Sequence, residues 1–266
     1  VALAVQEVVR DSKAAFIASG PGTSDLTGPK CSANTVHWTY DTWALAHGTA
    51  LALVRAGKTK WFFLTADYAF GHALEADAAS VVRQEGGTVV GGVRHPTAAA
   101  DFSSFLLQAQ ASRAQVIALA NAVGDTVNSV KQAAEFGITS GGQDLAALLM
   151  QLSDVHAIGL KDAQGLYLTE GFYWDANPGT RAFADRFAQQ MKGRRPTANQ
   201  AGVYAGALAY LRAAAASGST DGRTVVARMK TEPTNDPLFG EGTVRQDGRH
   251  IHPMYLFQVK TPAESK

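Results

Sequence analysis

The chain has 266 residues, 46% of them hydrophobic, with 24 Lys and Arg against 23 Asp and Glu. That is enough apolar mass for one large or two modest cores and excludes general disorder. A formal net charge of +1 with only 18% charged residues leaves no basic field of the kind that governs nucleic-acid affinity, so nucleic acid is excluded as a partner.

No apolar run reaches the roughly 18 residues that a bilayer-spanning helix needs. The longest candidate, 109–123, is interrupted by Gln110, Ser112, Arg113, Gln115 and Asn121. The single cysteine, Cys31, cannot close an intrachain disulfide, which fits reducing and oxidising compartments alike. Residues 1–11 place Val1, Leu3, Ala4, Val8 and Val9 largely on one helical face, with no basic leader and no small-residue cleavage site. A parallel sheet normally offers a strand before such a helix, so the opening reads as the middle of a fold.

Residues 14–18 then read as a short buried strand. Asp41 caps a helix running to about residue 56, with Trp43, Ala46, Ala50 and Val54 on one face. A strand at 61–65 follows, then a helical stripe of Phe70, Leu74, Ala78 and Val81 ended near Gly86 and Gly87, then a strand at 88–93. The order returns with a helix at 103–112, a strand at 115–120 and a helix from Asp125 to Gly137. Strands at 145–150 and 166–169 come next, followed by helices at 181–191, 200–216 and 221–230. Pro233, Pro237, Gly240 and Gly242 mark a loop, and 254–259 is a closing strand. Alternation of this kind predicts an α/β fold on a mostly parallel, doubly wound sheet.

Enzyme motifs are poorly represented. Gly20-Pro21-Gly22 imitates the start of a dinucleotide fingerprint, but the third glycine is missing and Pro21 removes an amide donor. There is no phosphate-cradling loop ending in Gly-Lys-Ser/Thr and no Gly-x-Ser-x-Gly elbow. His250 and His252 would share one strand face near Asp247, a spacing that suggests a metal. Without a fuller ligand set, hydrogen-bonding or surface histidines are the plainer reading. Cys31, without an activating base beside it in sequence, reads as a passive thiol. No metal or cofactor is expected.

Polar and aromatic residues gather where strands end. Ser19, Gly20, Thr23 and Ser24 follow the first strand, at the edge of an α/β sheet where ligands bind, and hydroxyls and amides there can hold a carboxylate without Lys or Arg. Trp38, Tyr40 and Trp43 cluster at one connection, Tyr68 and Phe70 follow 61–65, and Phe172, Tyr173 and Trp174 follow 166–169. Trp43 and Phe70 suit internal packing as well as a cleft, whereas the polar tips of Tyr40, Tyr68 and Tyr173 favour a cleft wall.

Residues 1–10, the loop 19–27, His37-Trp38-Thr39-Tyr40-Asp41 and Thr65-Ala66-Asp67-Tyr68-Ala69-Phe70-Gly71 resemble the periplasmic ligand-binding proteins of branched-chain-amino-acid-type ABC importers. Asp101-Phe102-Ser103-Ser104 and the stretches 131–137 and 236–240 continue the match over nearly the whole chain. The resemblance implies a type I periplasmic-binding-protein fold: two Rossmann-like lobes joined by three crossover strands that let the lobes close on a ligand. Against that family the first β/α units, and a short C-terminal segment, are expected outside this chain. The crossovers are expected near 38–42, 170–173 and 250–255. One lobe would hold 1–41 plus 172–250, the other 42–171 plus 251–266.

By the same resemblance, Ser19, Gly20, Thr23 and Ser24 grip the ligand carboxylate, Tyr68 and Phe70 form an aromatic wall in the opposite lobe, and Asn121, Ala122 and Gly124 form a further contact loop. Tyr40, Asp41, Glu170 and Tyr173 lie at the crossovers, and Met150 and Gln151 follow the strand 145–150. Amino-acid-binding members carry an acid after that strand to meet the ligand ammonium. Here the sequence reads Leu148-Leu149-Met150-Gln151-Leu152, and an ammonium buried against that run would be costly. The implied function is a non-catalytic, monomeric solute receptor in the periplasm, its export signal lying upstream. It would capture a small aromatic or apolar carboxylate and deliver it to an ABC permease in the inner membrane. The alternative is a cytoplasmic ligand-sensing regulator of the same fold; an α/β enzyme is the least supported class.

Overall fold

The computed structural model describes residues 1–265. From the N-terminus come α1 (Ala2–Arg10), β1 (Phe16–Ala18), a 3-10 turn (Ser24–Leu26), β2 (Thr35–His37), α2 (Thr42–Arg55), β3 (Lys60–Ala66), α3 (Ala69–Gln84) and β4 (Thr88–His95). Next are α4 (Ser103–Ala111), β5 (Val116–Ala120), α5 (Gly124–Glu135), β6 (Asp144–Ala147), α6 (Leu152–Ile158), α7 (Leu160–Ala163) and β7 (Tyr167–Glu170). The remainder holds α8 (Pro178–Gln190), α9 (Ala198–Ser217), α10 (Gly222–Met229), β8 (Pro233–Asp236), β9 (Gly240–Val244), β10 (His250–Ile251) and β11 (Tyr255–Gln258).

These elements form two compact units, one of Val1–Asp41 with Gly171–Met254, the other of Thr42–Glu170 with the chain from Tyr255 onward. Gly171 and residues 251–254, expected with the second unit, lie with the first. The His252 ring explains this: its Nε2 is 2.7 Å from the Thr39 carbonyl, and a Cβ on Gly171 would stand 2.5 Å from its Cε1.

In the second unit six strands run in the order β11-β7-β6-β5-β3-β4. All pairs are parallel except β11 with β7. Helices on both faces explain the continuous apolar strands: Trp61 to Ala66 and Val116 to Ala120 are buried at every position. Phe62, Leu64, Ile117 and Leu119 join Leu106 and Leu145 in one core, each such side chain contributing roughly 1.5–3 kcal/mol on burial. A Cβ on Gly71 would stand 2.2 Å from the Ala66 carbonyl oxygen and 3.0 Å from that of Ala120. Only glycine therefore lets the first turn of α3 rest on the ends of β3 and β5.

Some expectations are corrected here. Leu45, Ala46, Thr49, Ala50, Leu53 and Val54 form the buried face of α2. Trp43 is 54% exposed and stacks on His47 at 4.4 Å. The strand expected over 145–150 ends at Ala147, and the chain bends into α6, where the Asp154 carboxylate accepts the Gln151 N–H at 2.9 Å.

In the first unit a parallel pair, β1 and β2, lies beside α9, and β10, β9 and β8 form a three-stranded antiparallel sheet. Small residues on α9 allow the approach: a Cβ on Gly206 would meet Ile17 Cγ2 at 2.8 Å, and one on Gly202 the Thr39 hydroxyl at 1.9 Å. Val36, Trp38, Phe172, Phe183, Val226 and Phe239 fill the core.

The loop expected around Pro233 to Gly242 is instead the hairpin of β8 and β9. Pro233 opens an edge strand, where a missing N–H is tolerated, and the Asp236 carboxylate makes the turn by accepting the amides of Leu238 and Phe239 at 2.6 and 3.2 Å. The apolar stripe expected on α1 does not dock the helix, since Val1, Ala4 and Val8 of that stripe are exposed. Gln6 does so, buried and donating Nε2 to the carbonyls of Leu26 and Lys30 at 3.1 Å each.

Candidate functional site

The first unit presents the loop after β1. Ser19 is buried, shares a hydrogen bond with the Thr39 hydroxyl at 2.7 Å and donates to the Asn199 carbonyl at 3.0 Å. The buried Tyr40 hydroxyl donates to the Gly20 carbonyl at 2.9 Å. Ser19 and Tyr40 thus shape the loop from within. Thr23 differs: its hydroxyl oxygen caps the 3-10 turn by accepting the Asp25 N–H at 3.3 Å, an acceptor role that leaves its hydrogen to donate. Ser24 is half-buried beside it and Gly20 is exposed. Asn199, not singled out in the sequence, also reaches this loop, its Oδ1 3.9 Å from where a Cβ on Gly20 would lie.

Asp41 is not available to a ligand. Its carboxylate pairs with Arg249 at 2.9 Å, the two side chains 9% and 4% exposed. The guanidinium Nη1 also donates to the carbonyls of His37, Trp38 and His250. Around this pair the histidines are neutral. Burial, helped by Arg249, pushes His37 down to about 4, and its Nε2 lies 2.7 Å from the Pro21 carbonyl. Burial, then His252 and Arg249, push His250 down to about 2; it stacks on Trp38 at 3.9 Å and bonds the Thr234 hydroxyl at 2.7 Å. Among the described residues no three His, Cys, Asp or Glu side chains gather as metal ligands.

Tyr173 is half-buried, its hydroxyl raised above the ordinary phenol range by burial and by Asp175. A concavity of about 130 Å³ in this unit is lined by Trp38, Arg212, Arg228, Glu232 and Asp236 among others and by none of the candidate residues. Two of its charges are already matched, Arg228 by Glu232 and Asp236 by the amides of its own turn.

The second unit presents the C-terminal ends of β3, β5, β6 and β7, which share one sheet edge because these strands are parallel. Tyr68, 40% exposed, precedes α3 and lies 5.8 Å from the half-buried ring of Phe70. Burial raises its hydroxyl pKa, with Asp125 adding to the effect. Asn121 is fully buried: its Nδ2 donates to His95 Nε2 at 3.2 Å and its Oδ1 accepts the Thr126 hydroxyl at 2.8 Å. Its side chain therefore ties the β5–α5 turn internally and does not face a ligand. Beyond half-buried Ala122, Val123 is 73% exposed at φ 55°, ψ −123°, a conformation suited to glycine. Neither Val123 nor Tyr68 caps its helix with a side chain, so the first-turn amides of α5, from exposed Gly124, and of α3 offer partial positive charge at this edge.

Met150 is 1% exposed within the apolar core and does not line the edge. Gln151 is half-buried as the N-cap of α6. Glu170 is buried, and burial, with Asp154 contributing, holds its carboxyl well above the usual carboxylate range. Asp154, absent from the sequence-based candidates, is itself raised by burial. The spacing that could have revealed it is Gln151-x-x-Asp154, a helix-start pattern.

A search of curated proteins returns no match. A family model described as periplasmic binding protein matches residues 1–265. A periplasmic binding protein from Burkholderia mallei is 50% identical with a TM-score of 0.93, the match covering 100% of this chain and 70% of that one. A branched-chain amino acid ABC transporter periplasmic ligand-binding protein from Burkholderia xenovorans LB400 is 37% identical, also at TM-score 0.93, covering 100% and 71%. At 23% identity the fold is still shared, with a TM-score of 0.84 over 97% of this chain and 71% of the other, by an ABC transporter solute-binding protein from Rhodopseudomonas palustris BisB5 in complex with 3,4-dihydroxybenzoic acid. The α/β architecture and the family match together make the chain a member of the periplasmic binding protein family, the non-enzymatic small-molecule receptors of ABC transporters.

Proposed function

We propose that the protein is a periplasmic receptor that captures a small aromatic or apolar carboxylate and delivers it to an ABC permease in the inner membrane, the two units serving as its lobes. The observation that carries this reading is the pairing, on one sheet edge, of the Tyr68 and Phe70 rings with the uncapped amides of α3 and α5. Rings suit an apolar body, and free amides donate to an oxygen substituent on it. The Thr23 hydroxyl and the amides of the loop after β1 hold the carboxylate. Met150 withdraws into the core where amino-acid receptors of this family would need an acid, and the R. palustris relative holds an aromatic carboxylate.

Calorimetry with benzoate tests the assignment. Thr23→Ala removes a hydrogen bond to a charged group, worth roughly 1.5–3 kcal/mol or about ten- to a hundredfold in affinity, while Thr23→Ser retains it. Tyr68→Ala removes a ring wall and weakens binding as well. Unaltered affinity in both alanine variants would overturn the site.

A further inference from the structure

We propose that Glu170 determines specificity at this site by receiving a hydroxyl group of the ligand on its unpartnered carboxyl oxygen. The inference rests on the carboxylate-receptor reading above and adds what the ligand must carry away from its carboxylate.

Glu170 is 6% exposed, and its Oε1 is buried without a hydrogen-bond partner among the described residues. Buried polar atoms are nearly always satisfied, so such an orphan calls for an explanation. Side chains alternate along β7. The Thr169 hydroxyl meets that of Thr49 on α2 at 2.8 Å, so Glu170 projects from the opposite face of the sheet, the face of Leu168, Met150 and Val155. The first turn of α6 lies on that side and brings Asp154 close enough to raise the Glu170 pKa. Pairing of β7 with β6 ends at Ala147 and Leu168. Thr169 and Glu170 therefore run past the end of β6, held by β11 alone through Leu256 and Tyr255, at the edge that carries Tyr68 and Gly124.

The chemistry narrows the ligand group. Burial and a neighbouring acid both disfavour ionisation, and in its neutral form the side chain offers one O–H donor and a carbonyl acceptor. A hydroxyl, which also donates and accepts, complements it. A bare ring edge would leave the oxygen unsatisfied.

The test is calorimetry of the full chain with benzoate and with 2-, 3- and 4-hydroxybenzoate. One hydroxy isomer is expected to bind at least about tenfold more tightly than benzoate. Glu170→Gln, which keeps a donor and an acceptor, should retain the preference within about threefold, and Glu170→Leu should abolish it while still binding benzoate. As a measurement independent of the Leu variant's folding, the infrared carbonyl band of a protonated carboxyl should shift with that isomer, not with benzoate, and be missing from Glu170→Gln. Benzoate binding with no hydroxyl preference, or a preference that survives Glu170→Leu, overturns the role of Glu170 alone. Failure of all four acids to bind overturns the carboxylate-receptor reading and this proposal with it.

Discussion

At the scale of single residues, the side chains that look most available to a ligand are largely engaged by the protein itself. The hydroxyl-rich composition of the loop after β1 was legible in the sequence. That Ser19 answers Thr39 and Asn199, 20 and 180 positions away, was not, because no local pattern encodes such a partner. The same holds for Asp41, whose partner Arg249 lies 208 positions on. Removing one member of a buried pair leaves the other charged and unsolvated. Asp41→Ala is therefore expected to cost about 3–5 kcal/mol, read as a lower urea midpoint at unchanged slope; a loss below about 1 kcal/mol, typical of an exposed pair, would contradict this.

At the scale of elements, period and punctuation located nearly every long helix and central strand, because β3 and β5 are continuous apolar runs and α3 carries a clean stripe. Short elements escaped. The hairpin of β8 and β9 was hidden by Pro233 and Gly240, which read as loop residues unless the edge position of β8 is known. The turn into α5 holds a conformation that sequence could not announce, since Val123 occupies glycine-like backbone angles. Such strain amounts to roughly 1–3 kcal/mol, against roughly 0.5–1 kcal/mol for the greater flexibility of glycine. With its side chain 73% exposed there is little packing to lose. Val123→Gly should therefore stabilise the protein by about 1 kcal/mol and raise the Tm by a few degrees; a lowered Tm would count against the strain.

At the scale of the whole molecule, β/α alternation foretold the layered architecture, but no periodicity could show that 1–41 packs with 171–254. That union is built from long-range contacts such as the Asp41–Arg249 pair and the His252 bond to Thr39; family resemblance alone suggested a discontinuous division. Buried titratable groups give the molecule opposing pH dependences. His37 and His250, with folded pKa values pushed down to about 4 and about 2, contribute stability that is complete above the unfolded value near 6.5 and is lost as pH falls through their folded values. For His37 alone the loss approaches about 3 kcal/mol. Glu170, raised above its unfolded value, acts the other way: its favourable contribution is complete below about 4.5 and is lost as pH rises through its folded value. Urea unfolding across this range should therefore show a flatter acid limb in a folded His37→Gln variant and a flatter limb above about pH 4.5 in Glu170→Gln; unchanged limbs would contradict these environments. The central claim, a receptor that binds an aromatic or apolar carboxylate without transforming it, is tested most directly by thermal-shift measurements with benzoates and with leucine, followed by chromatography of the recovered ligand. A ligand at a thousandfold excess over its Kd stabilises the folded form by about 4 kcal/mol. The account predicts a clear Tm increase with at least one benzoate, little with leucine, and unchanged ligand. A large shift with leucine and none with any benzoate, or chemical conversion of the benzoate, would contradict it.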